Sequence, residues 1–244
     1  MSYCVALQLK SGIVFMADTL TNAGVDNISH YQKIHNWSKP NERQIFLLTA
    51  GNLATSQSVI SLLSEEVGDD TGENILNIPS MFQAAKLVAR ILRQTISEME
   101  GEGQEASSKF DVTMILGGQI VGGDMRLYMI YPEGNFIIPP ETHPYLQIGE
   151  TKYGKPILDR IIRKETSHDI AMKCALVSID STMRSSGTVG PPIECLFYRT
   201  DSLQPHERYF IFEESNSYLV KIRTLWDESI REAFSQLPNP ANDF

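Results

Sequence analysis

The run Ser2-Tyr3-Cys4-Val5-Ala6-Leu7-Gln8-Leu9-Lys10-Ser11-Gly12-Ile13-Val14-Phe15-Met16-Ala17-Asp18 encodes two apolar strands joined by a tight turn. Residues 3–9 have the length and apolar content of a buried strand. Lys10-Ser11-Gly12 is turn chemistry. Residues 13–18 form a second strand that ends on a carboxylate. A hairpin of this kind returns Asp18 to the end of the sheet where Ser2 starts. Gln32-Lys33-Ile34-His35 then puts a lysine at the mouth of a third apolar segment. A hydroxyl, a carboxylate and a lysine converging near a chain terminus are a candidate nucleophile, orienter and base.

Outward from this hairpin, the elements follow in blocks. Residues 19–29 are polar, contain Gly24, and read as a loop. Residues 34–38 and 43–50 are strands, separated by the turn Lys39-Pro40-Asn41-Glu42. Residues 52–67 place Val59, Ile60, Leu63 and Val67 at helical spacing. Residues 79–99 do so more strongly, through Met81, Ala85, Val88, Leu92, Ile96 and Met99. Ser80 with Gln83 is a capping box for that second helix. Residues 68–78 read as a polar connection and 100–109 as a loop. Strands return at 111–116, 125–130, 135–138 and 146–148, with Gly117-Gly118 and Gly122-Gly123 separating the first two. Helices are expected over 154–164 and from an N-cap at Ser167, then strands at 193–198 and 209–212, and a final amphipathic helix over 217–235. The tail from Pro238 is polar. Runs of strands alternating with helix pairs argue for two packed sheets with helices outside.

Composition narrows the function classes. The chain has 244 residues, 42% hydrophobic and 21% charged, which suits a soluble globule with a large core. No linker or internal repeat divides it, so one domain over 1–244 is expected. A formal net charge of -9 disfavours nucleic acid or an anionic membrane as partner. No uncharged run reaches the length of a bilayer span. Lys10 and Asp18 interrupt the N-terminal apolar run and no basic leader precedes it, so no signal peptide is read and a cytoplasmic location is expected. Cys4, Cys174 and Cys195 are odd in number and sit in apolar runs, which suits reduced core residues. His30, His35, His143, His168 and His206 show no ligand spacing, so neither a metal nor another cofactor is expected.

Several motifs also carry a resemblance. Ser2, Gly12-Ile13-Val14, Ala17-Asp18, Asn22-Ala23-Gly24, Gln32-Lys33-Ile34 and Thr49-Ala50-Gly51, in that order, resemble a proteasome-type β-subunit, an N-terminal-nucleophile (Ntn) hydrolase. Ile148-Gly149-Glu150-Thr151-Lys152-Tyr153-Gly154-Lys155-Pro156, Asp180-Ser181-Thr182-Met183-Arg184-Ser185-Ser186 and Val189-Gly190-Pro191-Pro192 resemble its bacterial branch called Anbu. The resemblance covers most of the chain and implies an α+β fold, the four-layer αββα sandwich.

The resemblance also assigns roles. Ser is common after an initiator Met because it permits Met removal. Ser2 also falls where the family carries its terminal Thr or Ser. With Met1 removed, its α-amine, with a pKa of about 7.7–8.0, serves as base for its own hydroxyl, directly or through water. Lys33, on composition alone a surface lysine, becomes the charge that stabilises the attacking alkoxide. Asp18 pairs with Lys33. Gly51 offers a backbone N–H to the oxyanion, a role compatible with that of a strand-to-helix turn glycine. Asp180 is carried over from a family Asp that is followed three residues later by Ser; here Met183 stands at that spacing, with Ser181, Ser185 and Ser186 nearby. The family's Ser in a Gly-Ser-Gly-like turn is absent from Gly149-Glu150-Thr151, where either Thr151 substitutes or the amine is held differently. Thr21, Thr49 and Leu53 are expected to line the substrate pocket and suit a small or neutral side chain.

The expected reaction is amide hydrolysis through an acyl-enzyme on Ser2, acting on peptides or unfolded protein. The resemblance implies a homo-oligomer, an open or closed ring of roughly a dozen subunits. No unfoldase partner is legible. Two rivals stand beside this reading: an amidase or transpeptidase acting on small molecules, and a scaffold or binding subunit whose serine is idle.

Overall fold

Burial in the first hairpin does not alternate. Every residue of β1 (Tyr3–Leu9) except Gln8 is buried, and so is every residue of β2 (Gly12–Asp18). Strands covered on both faces must lie between two layers. The computed structural model, which describes residues 2–22, 28–68, 72–101, 110–205 and 208–239, shows what those layers are.

In chain order, the hairpin is followed by β3 (Leu20–Asn22), β4 (Ile28–His30), β5 (Ile34–Lys39), β6 (Arg43–Gly51), α1 (Leu53–Glu65) and α2 (Met81–Gly101). Next come β7 (Val112–Ile120), β8 (Arg126–Ile130), β9 (Phe136–Ile137) and β10 (Tyr145–Gly149). The chain continues through α3 (Lys155–Ile161), α4 (His168–Ser185), β11 (Ile193–Arg199), β12 (Arg208–Phe212) and α5 (Ser217–Ser235). One five-stranded sheet runs β10-β1-β2-β11-β12 and a second runs β5-β6-β7-β8-β9; the paired strands are antiparallel.

Side-chain alternation along β1 then sorts three cores. Tyr3, Val5, Leu7 and Leu9 face Leu158, Ala175, Ile179 and Leu219 of α3, α4 and α5. Cys4 and Ala6 face inward, with Ile13, Phe15, Phe46, Leu48 and Ile115, between the two sheets. On the far side of the second sheet, Ile45, Leu47, Met114 and Leu116 pack on Val59, Leu63, Ala85, Val88 and Leu92 of α1 and α2. The order of layers is helix, sheet, sheet, helix: the expected αββα sandwich.

The sheets approach closely where glycine permits it. At Gly117 an added Cβ would meet the Phe15 ring at 2.9 Å and Leu127 Cδ2 at 2.4 Å. This explains why β7 runs on to Ile120, through the Gly117-Gly118 pair that reads as a strand separator in the sequence. The expected loop at 19–29 is also corrected: β3 and β4 pair there, Leu20 opposite His30. Thr21 lies in that short ribbon beside the cavity described below, and polar ribbons carry no apolar alternation to reveal them. The third helix is shorter than expected. Met1, the centre of the 19–29 stretch with Ala23 and Gly24, part of the 68–78 connection, residues 102–109, His206 and the end of the tail lie outside the described residues. The three cysteines are buried and carry free thiols.

Candidate active site

The hairpin register brings the first residues together. Cys4 pairs with Ala17, which sets Asp18 beside Tyr3. The Tyr3 N–H donates to Asp18 Oδ1 at 2.8 Å. The same oxygen accepts from Lys33 Nζ at 2.6 Å, and Nζ also donates to the Leu20 carbonyl at 2.7 Å. Asp18 is fully buried and the Lys33 side chain is 6% exposed. Burial pushes the Asp18 carboxyl above its ordinary value. The Lys33 ammonium and the N–H groups of Tyr3 and Gly190 oppose that rise. One carboxylate oxygen thus ties the peptide bond after Ser2 to the lysine.

Ser2 is held from its other side by β10. Its carbonyl accepts from the Glu150 N–H at 2.7 Å. Gly149 permits this: its φ is +82°, and a Cβ there would stand 2.0 Å from the Ser2 carbonyl oxygen. The Gly149-Glu150 turn therefore acts through its backbone.

Ser2 and Lys33 share a cavity of about 430 Å³ with Thr21, Thr49, Gly51 and Leu53. Gly51 is the last residue of β6, one before the cap of α1. Asn52 is that cap, and its side chain accepts from the Thr55 N–H. Gly51 therefore sits at the strand-to-helix turn, outside the helix itself. Its φ is +134° and a Cβ would meet the Asp111 carbonyl at 2.3 Å, so glycine is required. Tyr31, His35, Ser56, Gln57 and Ile60 also line the cavity; of these, His35 is titratable near neutrality, and burial lowers its pKa.

Asp180 is a correction. It lies on α4, buried, with Arg223 Nε at 2.6 Å from Oδ1 and Arg184 Nε at 3.4 Å from Oδ2, and it does not line the cavity. A carboxylate held between α4 and α5 in this way is a structural ion pair. The segment that does reach the site follows α4: the Gly190 N–H donates to Asp18 Oδ2 at 3.3 Å, and the Pro192 carbonyl accepts from the Thr19 N–H and hydroxyl. The run Val189-Gly190-Pro191-Pro192 was the only sequence signal for it. Glu194, buried on β11, also reaches the site, and nothing in its neighbours singles it out.

Among the described residues no group of three His, Cys, Asp or Glu could hold a metal ion, and no helix is long and apolar enough to cross a membrane. Lysine and hydroxyl at one cavity, with a buried carboxylate behind the lysine, suit nucleophilic attack on a carbonyl.

The proteasome subunit family model matches residues 2–197. The structure of Anbu (ancestral beta-subunit) from Yersinia bercovieri is 44% identical, with a TM-score of 0.91 over 97% of this chain and 98% of that one. The helical assembly of the Anbu complex from Pseudomonas aeruginosa is 43% identical, with a TM-score of 0.91 over 98% of each chain. Anbu from Hyphomicrobium sp. strain MC1 is 41% identical, with a TM-score of 0.89 over 97% of this chain and 98% of that one. No curated protein matches.

Proposed function

The chain belongs to the proteasome subunit family, in its Anbu branch, and on that premise we propose that it hydrolyses amide bonds of peptides or unfolded protein, with Ser2 as nucleophile. The observation that carries the reading is Lys33: a buried ammonium held by Asp18 Oδ1 and the Leu20 carbonyl, in the wall of a cavity that Ser2 also lines.

Once Met1 is removed, the Ser2 amine is uncharged in part near pH 7, since an α-amine titrates at about 7.7–8.0. It takes the proton from Oγ as Oγ attacks the substrate carbonyl. Lys33 stabilises the developing alkoxide, and Asp18 holds Lys33 in place. The tetrahedral oxyanion takes the Gly51 N–H. Collapse expels the leaving amine, which takes the proton from the Ser2 ammonium, and leaves an ester on Ser2. Water, deprotonated by the same amine, then releases the acid and frees Oγ. Thr21, Thr49 and Leu53, with His35, set which side chain precedes the cut bond. The chain works in the cytoplasm and within a homo-oligomer; the oligomer is supported by the helical assembly of the Pseudomonas aeruginosa relative.

The test starts with intact mass of protein from its own host, which is expected to lack one Met. An electrophile selective for terminal nucleophiles should label Ser2, and a peptide panel should be cut. Ser2→Ala should abolish both, and adding Lys33→Ala should make it hardly worse, because groups acting as a unit are non-additive. Retained Met1, or a Ser2→Ala protein with wild-type turnover, overturns the mechanism. Processed protein inert to both probes leaves the scaffold reading in its place.

A further inference from the structure

Lys33 is held at its tip by Asp18, and its backbone needs a holder of its own. It precedes β5, the edge strand of the second sheet, which among the described residues pairs only with β6. The Thr49 N–H reaches the Lys33 carbonyl at 3.3 Å. Among the described residues no strand lies on the outer side of β5 to take the Lys33 and Ile34 N–H groups, although both residues are buried. Buried donors of this kind must find a partner.

That partner comes from the other sheet. Along β11, Ile193, Cys195 and Phe197 face the helices, while Leu196 and Tyr198 face the gap between the sheets. Glu194 falls on the gap side by alternation, and it is 4% exposed. Its Oε2 accepts from the Lys33 N–H at 3.2 Å, and the carboxylate also accepts from the Ile34 N–H. Its Oε1 accepts from the Tyr209 hydroxyl at 2.6 Å. Tyr209 belongs to β12, the edge strand of the first sheet. A buried carboxylate in an apolar gap is costly unless its oxygens are satisfied. Here Tyr209 satisfies one oxygen and the start of β5 satisfies the other.

We propose that Glu194 is a positioning residue for Lys33: a strut from the first sheet, itself fixed by Tyr209, that sets where the backbone of the lysine starts and so where its ammonium stands in the cavity. The inference rests on the function proposed above for Ser2 and Lys33. It assigns Glu194 no contact with substrate. Its effect on the reaction passes through Lys33. A 1 Å misplacement of a catalytic group is enough to cost about 10²-fold in rate.

Three variants test it. Glu194→Ala removes the strut and leaves two buried N–H groups without an acceptor. Glu194→Gln keeps an amide oxygen for them, and its amide can donate to the Tyr209 oxygen in turn. Tyr209→Phe removes only the hydroxyl that fixes Glu194. Peptide hydrolysis should show kcat lowered by about 10²-fold in Glu194→Ala with KM within about 3-fold. Glu194→Gln should restore most of kcat, and Tyr209→Phe should fall between them. In parallel, the ¹⁵Nζ resonance of Lys33 should shift in Glu194→Ala and return towards wild type in Glu194→Gln. That signal needs no turnover, so it separates the two failures. Inert wild-type protein whose Lys33 resonance still follows Glu194 sinks the hydrolase reading and keeps the strut. Active wild type with kcat and the Lys33 resonance unchanged in folded Glu194→Ala sinks the strut alone. Should Glu194→Ala not fold, the Tyr209→Phe and Glu194→Gln resonances and rates decide by the same criteria.

Discussion

Asp18 Oδ1 accepts from two donors, the Tyr3 N–H and Lys33 Nζ, while Oδ2 takes the Gly190 N–H. Three donors on one buried carboxylate leave no room for an amide. In Asp18→Asn, one arm must present an NH₂ to a donor, and the Lys33 ammonium loses its buried counter-charge. Removing one partner of a buried pair costs roughly 3 kcal/mol or more. The variant should therefore lose about that much stability, read as a lower denaturant midpoint at unchanged slope, and lose turnover as well. Unchanged stability would mean that the charge of Asp18 is not needed. His35 carries a pH prediction. Burial holds its pKa below the ordinary value, so the unfolded chain binds more protons between that lowered value and about 6.5. Stability must then fall as pH drops below about 6.5 and on through the lowered value. Asp18 and Glu194 are raised by burial and have the opposite sign. Comparing wild type with His35→Gln isolates the histidine: the melting temperature of the variant should drop less between neutral and mildly acidic pH. At this scale the sequence was informative where chemistry is local. Ser2, Asp18 and Lys33 were legible because a short hairpin and one motif place them. Glu194 was not, because its partners lie 161 and 15 residues away. Asp180 misled because it was carried over from the family although Met183 stands where the family Ser falls, and because the sequence does not show which way its helix faces.

Among the elements, β10 has a leverage out of proportion to its five residues. It ends on Gly149, whose missing Cβ lets the Ser2 carbonyl reach the Glu150 N–H. Gly149→Ala forces a positive φ on alanine, costing about 1–2 kcal/mol, and drives its methyl into the Ser2 carbonyl. The carbonyl must move and carry the Ser2 hydroxyl with it. The expected outcome is a folded, modestly destabilised protein whose N-terminal labelling and turnover fall together. Wild-type labelling in that variant would show that β10 does not position Ser2. Elements with strong periodicity, such as α2, were legible, since Met81, Ala85, Val88, Leu92 and Ile96 all point into one core. Those whose pattern is set by contact across the sheets were not. Gly117 reads as a turn in one dimension and is a strand residue because Phe15 of the opposite sheet lies against it.

At the scale of the whole molecule, the sandwich buries its sheets and leaves its last elements uncovered. The apolar stripe of α5 divides in two: Leu219 and Ile222 pack on α4, whereas Ile230 and Phe234 further along stand exposed. Phe234 is 74% exposed and Leu237 62%. Phe210 and Ile211 are exposed on β12, the outer strand of its sheet. Exposed apolar side chains on α5 and on β12 mark surfaces suited to be covered, and an outer strand left open is a liability for a protein that stays single. The occupant proposed is a second copy of this chain, given that a relative 43% identical over 98% of the chain is a helical assembly. Sedimentation at micromolar concentration should therefore give a mass several times the 27.4 kDa of one chain. Phe234→Asp, which changes nothing in the buried cores, should shift the distribution towards smaller species while the circular dichroism spectrum stays that of wild type. The effect should deepen with Ile230→Glu. A clean single-chain mass for wild type across a wide concentration range removes the assembly. A wild-type assembly untouched by both substitutions moves the contact away from α5 to another face of the sandwich.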